Sequence, residues 1–110
     1  MKLQTRKEKN VMIVLVKGRI DATTAPEFEN HLSDFISKGE NKLLLNFSEL
    51  EYISSAGLRS ILATAKKLKD HEGKIGFTGL KGPVEEVFKI SGFLSLFKSY
   101  DSEEAALKEI

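Results

Sequence analysis

The chain has 110 residues, a formal net charge of +1, 41% apolar and 30% charged residues, and no cysteine. This balance describes one soluble domain, 1–110, with a single core, and it excludes a disordered chain. The near-neutral charge gives no footing for nucleic acid or for direct contact with an anionic membrane, and the missing cysteines exclude disulfides and suit a reducing cytoplasm.

Residues 1–10 are mostly polar and hold no signal-peptide core; 3–8 make a weak strand candidate and Lys9-Asn10 a turn. Residues 11–16 (V-M-I-V-L-V) are the longest apolar run, far short of the ~20 residues that span a bilayer, and read as a strand buried on both faces. Lys17-Gly18 ends it, and a loop over 19–23 leads to a helix. There Thr24 and Glu27 have capping-box spacing and Pro26 lies in the first turn. Phe28, Leu32, Phe35 and Ile36 recur on one face before Gly39 stops the run.

A second buried strand is expected over 42–47 (K-L-L-L-N-F), then a serine turn. The next helix carries Leu58, Ile61, Leu62, Ala65 and Leu68 as its apolar stripe and closes at Gly73. Residues 74–78 alternate as a strand. Pro83 opens a short helix with Val84, Val87 and Phe88, stopped by Ser91-Gly92, and Leu96-Phe97 fits a short edge strand. Asp101 and Glu104 have capping-box spacing before a last helix with Ala106, Leu107 and Ile110. The order predicts an α/β fold, a mixed and largely parallel sheet with about four helices, without internal boundary or repeat.

Most chemical motifs fail. His31 and His71 stand apart with no neighbouring ligand, so no metal site forms. I-S-S-A-G is not the G-x-S-x-G of a nucleophile elbow, and neither histidine suits a general base. Gly73-Lys74 lacks the earlier glycine and the following Ser or Thr of a phosphate loop. Lys66, Lys67 and Lys69 read as a solvated helix face. No catalytic residue and no cofactor are expected. What remains is Ser54-Ser55-Ala56-Gly57, between a strand and a helix. One serine serves as a helix cap, and the small residues after it leave the turn open to a visiting protein.

Three segments, in this order, resemble the STAS domain of small bacterial anti-sigma factor antagonists, over essentially the whole chain. They are Gly18-Arg19-Ile20-Asp21, the strand 43–47 followed by Leu50, Ile53 and Ser54 to Leu58, and Pro83 to Phe93 ending in Ile90-Ser91-Gly92-Phe93. The resemblance implies that the chain is not an enzyme. It implies a cytoplasmic regulator whose unphosphorylated form binds an anti-sigma factor serine kinase and frees the sigma factor. That kinase would phosphorylate Ser55 and end binding, and a PP2C-type phosphatase would reset the serine. Asp21, Thr23, Ser54, Ser55, Gly57, Leu58 and Arg59 are the implied partner-binding residues. The alternative within the family is a non-switching scaffold, or an accessory subunit of a signalling complex or lipid-transport ATPase. Two departures stand out: Ser54 replaces the usual aspartate and Arg59 the usual glycine.

Overall fold

In the computed structural model, which describes residues 1–110, the polar opening of the chain does form a strand: β1 (Lys2–Glu8) pairs antiparallel with β2 (Val11–Ile20) across the Lys9-Asn10 turn. Both turn residues have positive φ, 51° and 67°, the twist a two-residue hairpin demands. There follow α1 (Ala25–Ser37), β3 (Lys42–Ile53), α2 (Ser55–Asp70), β4 (Lys74–Thr78), α3 (Gly82–Ile90), the single turn α4 (Phe93–Leu96), β5 (Lys98–Tyr100) and α5 (Glu103–Glu109). The five strands lie in sequence order, and every pair after the first is parallel. The expected mixed, largely parallel sheet is the one found, with five helices if the α4 turn is counted.

The double-sided apolar pattern of β2 and β3 has a direct cause. Val14, Val16, Leu43, Leu45 and Phe47 meet Phe28, Leu32 and Ile36 of α1, Ile61 and Leu68 of α2, and Val84 and Phe88 of α3 in the main core. Val11, Ile13 and Leu44 point the other way and are covered by Ala106 of α5. A hydrogen-bonded clip holds that cover: Glu103 accepts from Arg6 (2.6 Å) and from the Asn46 amide (2.7 Å). The Arg6 guanidinium is the main reason the Glu103 carboxyl lies below its ordinary pKa.

Several expectations need correction. β2 does not stop at Val16, nor β3 at Phe47; both run on to Ile20 and Ile53. Gly18 is not a terminator but sits at an irregularity between the strands with φ +96°. The edge strand is not Leu96-Phe97 but Lys98–Tyr100, because Phe97 turns inward to stack on Phe77 and Phe93 at 5.5 and 5.3 Å. Neither capping box forms. Thr24 makes no side-chain cap, and the cap of α5 is Ser102, which accepts from the Ala105 N–H at 3.0 Å. Leu62 is 43% exposed; the inner face of α2 uses Ser60 and Thr64 instead, whose hydroxyls bond to backbone carbonyls and so pack close to α1. The left-handed residue closing α2 is Glu72 (φ 56°). Gly73 is needed for another reason, since a Cβ there would strike the Asn41 carbonyl.

Candidate functional site

β2 and β3 end side by side. Ile20 pairs with Ile53, and the Ser54 N–H donates to the Ile20 carbonyl at 2.9 Å, so the loop after β2 and the turn after β3 are tied at their roots. They share the end of the sheet where parallel strands deliver their C-termini, the usual place for functional loops in such folds.

Asp21 organises the first loop. Its Oδ1 accepts from the Thr23 hydroxyl (2.6 Å), the Thr23 N–H (2.9 Å) and the Thr24 N–H (3.1 Å). The Thr24 hydroxyl donates to the Arg19 carbonyl and accepts from the Asp21 N–H. The Thr23 hydroxyl, followed by the two backbone N–H groups, draws the Asp21 carboxyl below its ordinary pKa. Asp21 thus shapes the turn ahead of α1, and its backbone carbonyl, not a side chain, takes the first helical N–H, that of Ala25, at 2.8 Å. Thr23 is exposed.

The second turn divides its two serines. Ser54 is the cap of α2: its backbone is extended (φ −94°, ψ 174°), and its Oγ accepts from the Gly57 N–H at 3.4 Å. A serine here satisfies the helix end without the charge an aspartate would bring. Ser55 is the first residue of the helix proper. It is exposed, and its hydroxyl, unlike that of Ser54, has no partner in the chain.

Of the two small residues after the serines, Gly57 is required by packing. Gly57 is buried, and a Cβ on it would lie 2.6 Å from Ile53 Cγ1 and 2.8 Å from Ile20 Cγ2. Its bare side faces inward, letting the first turn of α2 settle on the strand ends, so it cannot offer a partner a side face. Leu58 packs half-buried against the core. Arg59 is exposed and enters none of the ion pairs of the molecule. With Ala22, Pro26, Glu29 and Ala56 it lines a shallow groove of about 450 Å³ between the starts of α1 and α2.

One feature escaped the sequence reading. Arg19 and Tyr52 are register partners across β2 and β3, and the Arg19 guanidinium lies 4.4 Å from the centre of the Tyr52 ring. They flank the serine turn and present a flat aromatic-cationic surface. Each stands one residue before its strand's last, Ile20 and Ile53, a relation visible only once both strands run to those ends. Elsewhere, no cluster of His, Asp and Glu could hold a metal, and no helix is long and apolar enough to cross a membrane.

The STAS domain model matches residues 2–106. A Bordetella bronchiseptica protein assigned as the anti-sigma factor antagonist BtrV is 42% identical over 106 residues, 96% of this chain and 91% of that one. The crystal structure of a Thermotoga maritima protein assigned to the same role superposes with TM-score 0.93 at 25% identity, covering 98% of this chain and 93% of the other. The phosphorylated Bacillus protein SpoIIAA shares the fold, with TM-score 0.74 at 19% identity over 97% and 98% of the two chains.

Proposed function

Because the chain belongs to the STAS domain family, we propose that it is a cytoplasmic anti-sigma factor antagonist switched by phosphorylation of Ser55. The observation that carries this reading is the unequal treatment of the two serines. Ser54 is engaged in capping the start of α2; Ser55 is exposed and its Oγ unpartnered. A nucleophile that must enter another protein's active site needs that freedom.

In this reading the unmodified protein docks the platform made by the Asp21 loop and the serine turn onto an anti-sigma factor, and the sigma factor is released. The anti-sigma factor is itself a serine kinase. Ser55 Oγ attacks the γ-phosphorus of its ATP, the bond from that phosphorus to the β–γ bridging oxygen breaks, ADP leaves, and the hydroxyl proton passes to a base on the kinase. Catalysis therefore belongs to the partner. The product carries ~1.5–2 negative charges and three acceptor oxygens. The fold tolerates them, since Ser55 is exposed at the positive end of α2. The interface does not, because a hydrated dianion must now be desolvated against the partner. A PP2C-type phosphatase hydrolyses the ester and restores the hydroxyl.

The test is incubation with ATP and the anti-sigma factor kinases of the same genome, read by intact mass and peptide mapping. One phosphate on Ser55, lost in Ser55→Ala and kept in Ser54→Ala, is the expected result, together with binding of only the unmodified form. Tight binding of an anti-sigma factor without phosphate transfer would replace the switch with a non-switching scaffold.

A further inference from the structure

Ser55, Arg59, Leu62 and Lys66 follow one another at i, i+4, i+7 and i+11, and all four are exposed. They form the outermost ridge of α2, opposite the buried line of Gly57, Ser60, Ile61, Thr64 and Leu68. Arg59 stands one turn above Ser55, in the order that favours an i, i+4 ion pair, with the anion nearer the helix start. Its guanidinium is uncommitted. Glu29 lines the same groove, yet no ion pair joins the two; the Oδ1 of Asp21 is engaged by its own loop; Arg19 is stacked on Tyr52. Arg59 forms no ion pair within the chain.

We propose that Arg59 is a built-in counterion for phosphate on Ser55. On modification the guanidinium closes on the phosphoryl oxygens, a charge-assisted contact for which arginine's forked donors are suited. Phosphorylation then does two things to the ridge: it adds an anion and it withdraws a cation from a partner's reach. The off state is set by both. The inference rests on Ser55 as the acceptor, but its test needs no kinase and so fails or succeeds separately from the regulatory reading.

Phosphoserine is installed at position 55 of the full chain by genetic code expansion, and its ³¹P resonance is titrated with pH in ~0.1 M salt, where charges beyond a Debye length of about 10 Å are largely screened. An exposed pair of ordinary strength lowers the second phosphate pKa, so Arg59→Gln is expected to raise it by roughly 0.2–0.4 pH units over the unsubstituted protein. Arg59→Lys should recover part of the shift. Lys66→Gln, two turns further along, should leave the titration unchanged. Amide spectra check that every variant is folded. The proposal is overturned if Arg59→Gln titrates like the unsubstituted protein, or if Lys66→Gln moves the phosphate as far, which would mean a diffuse field in place of a pair.

Discussion

The loop after β2 and the turn after β3 are neighbours joined by one backbone hydrogen bond, yet they dispose of their polar atoms in opposite ways. The first turns inward: Asp21 Oδ1 collects the hydroxyls and N–H groups of both Thr23 and Thr24, and the Thr24 hydroxyl also reaches back to the Arg19 carbonyl. The second keeps only what the helix end requires. Ser54 caps, and the next hydroxyl stands open. An internally bonded loop beside a residue with a free hydroxyl is the arrangement the proposed switch would need. One segment spends its polar atoms on its own shape, and the other leaves a hydroxyl unspent.

The contrast can be broken at several strengths. The largest effect is expected at Gly57, on which the seating of the turn depends. Gly57→Val drives a branched side chain into Ile20 and Ile53 and should cost roughly 1–3 kcal/mol of stability, read as a lower urea midpoint at unchanged m-value. Next comes the cap. Ser54→Ala should cost about 0.5–1 kcal/mol, at the lower end of the capping range because its bond is long at 3.4 Å.

Asp21 gives a pH signature. Its folded pKa is depressed, so its contribution is full above the ordinary carboxylate pKa and is lost as pH falls through the folded value. Asp21→Asn should remove that part of the acid limb of the stability curve, while leaving the shape of the curve near neutral pH as it was. The smallest effect sharpens the comparison most. Ser55→Ala should stay within about 0.5 kcal/mol of the parent by urea unfolding, while abolishing phosphate uptake. A large loss of stability in Ser55→Ala would show that this hydroxyl is structural after all.

Much of this was legible in residue types. The alternation of strands and helices, the placement of the serine turn and its two competing roles all follow from patterning and from the capping preference of serine. Less local features did not. The tails of β2 and β3 are polar and contain Gly18, and only their pairing across an irregular register makes them strands. Gly57 reads as openness from its neighbours in sequence, but its neighbours in space are Ile20 and Ile53. The α4 turn and the displacement of β5 depend on an aromatic cluster drawn from Phe77, Phe88, Phe93 and Phe97, residues whose meeting is tertiary. The resemblance assigns Asp21 to a partner, and the structure shows it shaping its own loop; the two roles are compatible, since all its side-chain bonds fall on Oδ1 and none on Oδ2.

The Ser54–Ile20 bond has a practical bearing on anyone wishing to transplant these two segments. Neither segment is portable alone, because each takes its position from the strand beneath the other. A graft onto a different parallel sheet would have to carry the last residues of both strands, the irregularity at Gly18 and the glycine that seats the helix, and would then bring the free Ser55 hydroxyl along as a finished cassette.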